Sequence, residues 1–124
     1  MNIPKELLYT KNHEWLQVEN DIAIIGITDY AQRELGDIVF VELPDENTSY
    51  NFGDSVGTIE AVKTVADIFI PLTGEIVKVN RFLEDTPEAI NKDPYKSGWI
   101  FKVCNFTKND SKLLVSSEYE KLIQ

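Results

Sequence analysis

Along most of the chain, apolar positions come in short runs broken by turn residues, the spacing that half-buried strands require. Glu14 to Val18 sets Trp15, Leu16 and Val18 among polar neighbours, Glu19-Asn20-Asp21 breaks the run, and Ile22-Ala23-Ile24-Ile25-Gly26-Ile27 follows. That pair reads as a hairpin. Thr28 or Asp29 can cap a short helix ending at Leu35, with Gln32 three residues beyond Asp29 and Gly36 as its stop. Ile38 to Leu43 reads as a strand ended by Pro44 and a polar loop, Asp45 to Ser49. Val56–Glu60, Thr64–Phe69, Ile76–Val79 and Trp99–Cys104 are further strands. Glu84 to Gly98 holds Pro87 and Pro94 and reads as loop, with one helical turn at Pro87-Glu88-Ala89. A helical tail is expected over about 110–124, because Ser117 and Glu120 have capping-box spacing and Tyr119, Leu122 and Ile123 share one face.

Gly36-Asp37-Ile38-Val39, Gly53-Asp54-Ser55-Val56 and Gly74-Glu75-Ile76-Val77 form a weak internal repeat. In each, glycine permits a tight entry and the acid stays in water while the next residues enter a sheet. The pattern predicts a mainly β fold, a flattened barrel or sandwich with a few short helices, one of them C-terminal.

Length and composition narrow the function. A chain of 124 residues is expected to form a single domain spanning 1–124, large enough to fold without disulfides. Twelve Lys+Arg against 21 Asp+Glu leave a net charge of −9, which argues against nucleic acid and for basic partner surfaces. One cysteine, Cys104, gives no disulfide or CxxC pair, and one histidine, His13, gives no multi-histidine metal site. No apolar run approaches the ~20 residues of a membrane span, and the start MNIPKELLYT has no signal or Arg-rich presequence. The expected location is the bacterial cytoplasm, with a processed mitochondrial matrix chain as the alternative. With one His and one Cys there is no nucleophile–base pair, so no catalytic residue is assigned and the chain is not expected to be an enzyme.

The informative segment runs from Gly57 to Ile76, Gly-Thr-Ile-Glu-Ala-Val-Lys-Thr-Val-Ala-Asp-Ile-Phe-Ile-Pro-Leu-Thr-Gly-Glu-Ile. It reads as strand, lysine, strand, Pro–Gly turn, strand. No Gly, Asn, Asp or Pro lies between Thr58 and Asp67, so a reversal at Val62-Lys63 must use a turn that tolerates ordinary residues, such as type I. It would present a single lysine, Lys63, at the tip of a protruding hairpin.

This segment resembles the lipoyl-attachment region of the biotinyl/lipoyl carrier domains. Further stretches stand around it: Tyr9 with His13-Glu14-Trp15, Gly26-Ile27-Thr28-Asp29-Tyr30-Ala31-Gln32, Leu35 to Pro44, Pro71 with Gly74-Glu75-Ile76, Val79-Asn80, Asp93-Pro94-Tyr95 and Gly98-Trp99. On these residues the chain is similar to the H-protein family of the glycine cleavage system over about residues 8–106. Ala61 and Ala66 stand where the family commonly has serine, and Ile70 replaces a small or polar residue.

The resemblance implies a barrel-sandwich hybrid of the lipoyl-carrier type, with lipoate joined by an amide to Lys63. An unmodified lysine is protonated at neutral pH and a poor nucleophile, so a lipoate ligase or octanoyltransferase must supply the activated acyl group. The implied carrier takes an aminomethyl group from a pyridoxal-phosphate glycine decarboxylase (the P protein). It shelters that group in a cleft and yields it to a tetrahydrofolate-dependent aminomethyltransferase (T protein). A dihydrolipoamide dehydrogenase (L protein) reoxidises the arm. Glu14 and Asp67 match acidic cleft positions that can hold the aminomethyl nitrogen, and Asn12 stands where some members have serine. A relay passing octanoyl or lipoyl groups to other complexes needs the same lysine. Biotin carriage is disfavoured, because Val62 and Thr64, not methionines, flank Lys63.

Overall fold

A computed structural model describes residues 1–107 and 112–124. In chain order the strands are β1 (Leu8–Tyr9), β2 (Glu14–Glu19), β3 (Ile22–Ile27), β4 (Ile38–Glu42), β5 (Thr48–Tyr50), β6 (Ser55–Ala61), β7 (Val65–Phe69), β8 (Thr73–Val79) and β9 (Phe101–Thr107). The helices are α1 (Asp29–Leu35), α2 (Phe82–Asp85), α3 (Ala89–Lys92) and α4 (Ser116–Leu122). One sheet has the order β1-β2-β3-β9-β8-β5 and the other β4-β6-β7, each neighbouring pair antiparallel. The two sheets do not close into a barrel, so the sandwich half of the expectation is the one realised.

Alternation along the strands builds the core. Leu16, Ile25, Ile76 and Val103 of the larger sheet pack with Val41, Ile59 and Ile68 of the smaller, all nearly inaccessible to solvent. A fully buried side chain of this size contributes roughly 1.5–3 kcal/mol, so this layer carries much of the stability. Trp15 belongs to a second cluster and donates its indole N–H to the Pro94 carbonyl at 3.0 Å, whereas Trp99 is half-buried beneath the Lys102 ammonium.

Local chemistry sets the boundaries. Asn20, at φ 55°, makes the two-residue turn between Glu19 and Ile22, a position that Asn tolerates better than most residues. Thr28 is the cap of α1, its hydroxyl accepting the Ala31 N–H at 3.2 Å, and Gly36 ends the helix at φ 81°. Gly36 and Gly53 (φ 89°) occupy the left-handed region before β4 and β6, as the repeat requires. Gly74 does not: it lies inside β8, where a Cβ would meet Val103 Cγ1 at 2.6 Å.

Several expectations need correction. Thr48 and Ser49, expected in the loop, belong with Tyr50 to β5, paired through its backbone with Gly74–Ile76. The stretch from Glu84 to Gly98 holds α3 and the end of α2, beyond the single helical turn expected. Of the expected tail, residues 110 and 111 lie outside the described residues, and α4 begins at Ser116. Its cap is Val115 rather than Ser117: Leu114 is bridged to Tyr9 by bonds of 2.8 and 2.7 Å, and the chain turns helical as soon as that bridge ends. The Glu118 carboxylate accepts the Val115 N–H at 2.9 Å. Tyr119 is fully buried and stacks on Tyr9 with ring centroids 4.8 Å apart, while Leu122 stays exposed.

Replacing Glu118 with alanine should therefore cost about 0.5–1 kcal/mol. Amide exchange in α4 should accelerate by a matching factor of about 2–5, with the strands unaffected.

Candidate functional site

The hairpin formed by β6 and β7 carries the lysine. Its last ladder pair is Glu60 with Val65, and the Ala61 N–H donates to the Thr64 carbonyl at 2.8 Å. Neither Val62 nor Lys63 has positive φ, which is why the reversal needs no Gly or Asn. The Val62 N–H donates to the Asp37 carbonyl at 3.0 Å, tying the tip to the segment between α1 and β4. Lys63 is exposed, and among the described residues it has no ion pair. The turn is braced while its ammonium is left in solvent.

The same hairpin forms one wall of a cavity of about 300 Å³. Asn12, Glu14 and Asp67 all line it, together with His13, Tyr30 and Glu34, over a floor that includes Ile27, Ile59 and Ile68. The three cleft residues expected from sequence thus converge, but in different settings. Asn12 is exposed. Asp67 is exposed at the rim, its Oδ1 accepting from the Ser55 hydroxyl at 3.2 Å. Glu14 is only 4% exposed.

Burial pushes the Glu14 carboxyl up to about 7, against the opposing effect of its hydrogen bond from Thr10. The Thr10 hydroxyl donates to Glu14 Oε1 at 2.5 Å and also accepts the Glu14 N–H at 3.2 Å. A carboxyl this buried, with Thr10 as its one hydrogen-bonding side chain among the described residues, resists losing its proton, and a cation entering the cavity would displace it.

Sequence reasoning missed Thr10 and gave His13 no binding role. Both depend on the loop between β1 and β2. The Thr10 N–H donates to the Glu14 carbonyl at 3.0 Å, the His13 N–H donates to the Thr10 carbonyl at 3.1 Å, and His13 sits at φ 70°. This is a three-residue hairpin loop, a turn closed by one left-handed residue. Glycine is usual at that position, so the signal was absent from the sequence. The loop brings the Thr10 hydroxyl onto Glu14 and turns His13 along the cavity.

A second cavity, of about 450 Å³, shares Asn12 and Glu14 and has apolar walls from Phe69, Ile70, Pro71 and Leu114. Ile70 is fully buried there, so the wall gains no side-chain polar group at this position. Ala66 is half-buried on the first cavity, and Ala61 is buried at the end of β6.

Comparisons with known proteins agree with one another. The family model described as "Glycine cleavage H-protein" matches residues 7–124. The glycine cleavage system H protein of Herpetosiphon aurantiacus is 52% identical over 122 residues, covering 98% of this chain and 94% of that protein. That of Listeria monocytogenes is 52% identical over 124 residues, covering 99% of each, and that of Bacteroides thetaiotaomicron 49% over 123 residues, covering 99% and 98%. The crystal structure of a glycine cleavage system H protein from Mycobacterium marinum superposes with a TM-score of 0.89 at 37% identity, covering 96% of this chain and 97% of that one.

Proposed function

Since the chain belongs to the glycine cleavage H-protein family, the lipoyl carriers of the glycine cleavage system, we propose that Lys63 is its lipoyl-attachment residue and that Glu14 holds the nitrogen of the aminomethyl cargo. The observation that carries this reading is the pairing, on one hairpin, of a braced lysine that has no ion pair among the described residues with the wall of a cavity containing a buried carboxyl group. Lipoate, when attached, supplies a disulfide that can be reduced and a sulfur that can bear the aminomethyl group.

The residues around it bind and exclude water; none performs the chemistry. Glu14, its proton displaced by the incoming ammonium, becomes the counter-charge in a poorly hydrated wall where such a pair is strongest. Thr10 fixes the Glu14 oxygen toward which that charge is drawn. Asp67, at the rim, adds negative potential at the mouth, and Asn12 offers a neutral amide beside it. The carrier itself is non-catalytic on this reading. Its partners are the glycine decarboxylase, the aminomethyltransferase and the dihydrolipoamide dehydrogenase, with a ligase or octanoyltransferase that loads Lys63. The bacterial relatives support a cytoplasmic setting, and no described helix is long and apolar enough to cross a membrane.

Attachment is tested by mass spectrometry of the chain co-expressed with a lipoate ligase. One lipoyl group is expected, on the peptide containing Lys63 alone. Modification of any other lysine, or a biotinyl mass at Lys63, would refute the assignment.

A further inference from the structure

Beside Glu14, the cavity wall holds a residue whose proton inventory can be worked out. His13 Nδ1 lies 2.8 Å from the Tyr119 hydroxyl, which lies 2.7 Å from Thr28 Oγ1. Thr28 is fully buried, and its Oγ1 already accepts the Ala31 N–H at 3.2 Å. Among the described residues, the Thr28 hydroxyl hydrogen has one available acceptor, the Tyr119 oxygen. Once that bond is made, the Tyr119 hydrogen must point to His13 Nδ1. The reversed chain would strand a hydroxyl hydrogen in a solvent-free site, which costs more than a neutral hydrogen bond returns. Nδ1 is therefore an acceptor, and the neutral imidazole carries its hydrogen on Nε2.

Three further features hold the ring in this state. The loop puts His13 at φ 70°, the ring packs against Tyr30 with centroids 4.7 Å apart, and burial pushes the imidazole below its usual value against the pull of Glu34. Nε2–H has no partner among the described residues, although His13 lines the cavity.

We infer that His13 is a binding residue for the loaded arm: the buried Thr28–Tyr119 chain fixes its tautomer, so that Nε2–H is offered as a donor to the sulfur-bearing end of the arm. The inference rests on the proposed attachment at Lys63. Glu14, the next residue on the same wall, is matched to the nitrogen, which leaves the sulfur as the nearby acceptor.

Because His13 is the one histidine in the chain, its ring nitrogens give unambiguous long-range ¹H–¹⁵N signals. In the unmodified protein at neutral pH the Nε2–H tautomer should dominate, and Tyr119→Phe, which keeps the ring stacked on Tyr9, should turn it into a mixture. In the lipoylated protein, loading the arm with the aminomethyl group should shift the Nε2 resonance. His13→Phe should then speed spontaneous loss of the group about 3- to 10-fold, the worth of one hydrogen bond. An Nδ1–H tautomer in the unmodified protein, or an Nε2 signal unmoved by loading, would overturn the inference. A chain that takes no lipoyl group at Lys63 would instead overturn the assignment beneath it, and mass spectrometry of the same samples tells the two apart.

Discussion

Lys63→Arg should reduce glycine-dependent CO₂ exchange with purified glycine decarboxylase to background while leaving the fold intact. Arginine keeps the positive charge and nearly the length, but its guanidinium stays protonated and does not form the amide that a ligase makes with an amine. The side chain is exposed and free of ion pairs among the described residues, and the turn is held by backbone bonds from Ala61 and Val62 rather than by Lys63. The change in stability should thus stay within about 0.5 kcal/mol. Conservation of charge matters here: a protein that merely docked through a positive tip would keep its activity with arginine. Retained exchange would therefore sink the carrier role, and a lipoylated wild-type chain that supports no exchange would point to the relay of lipoyl groups.

The turn that carries Lys63 was legible in the sequence for a physical reason. Two strand-like runs with no Gly, Pro, Asn or Asp between Thr58 and Asp67 leave few ways to reverse, and the backbone adopts one that avoids positive φ. The termini of α1 were legible too, since a hydroxyl at Thr28 and a glycine at Gly36 are capping chemistry that acts over three or four residues. Features made by distant backbone were not. β5 is three residues, Thr48-Ser49-Tyr50, too short for a periodicity to show and held by its pairing with β8, and β1 is two residues held between β2 and Leu114. The cap at Val115 follows from that same bridge, and valine has no side-chain oxygen to announce it; only Glu118 three residues on marks the position.

At the site, periodicity could show neither the burial of Glu14, which depends on how the two sheets meet, nor the short bond from Thr10, which depends on a left-handed histidine. Asp67 shows the converse limit. It lines the cavity, yet its exposure and its bond to Ser55, which no sequence pattern shows, leave Glu14 as the desolvated carboxyl.

Glu14→Gln should make the protein more stable and a worse carrier. The carboxyl is held up to about 7 by burial, while in the unfolded chain it titrates in the ordinary carboxylate range. Between those two values the folded state keeps a proton that the unfolded state releases. The stabilisation is complete below the unfolded value and is lost as pH rises through about 7. Glutamine has the same shape and no charge to desolvate, so at pH 8 it should gain roughly 3 kcal/mol over the wild type, on the order of 10 °C in Tm. Near pH 4 the two should coincide. Retention of the aminomethyl group should move the other way, falling about 10- to 100-fold, because an amide cannot neutralise an ammonium and a hydrogen bond to a charged group is worth more than a neutral one. Thermal melts across pH and the rate of cargo loss from the loaded protein measure the two halves. Opposite signs mark a group kept buried at a cost to the empty fold for the sake of the loaded one. A pH-independent Tm difference would show that Glu14 is not protonated in the empty cavity, and unchanged retention would remove it from the cargo site.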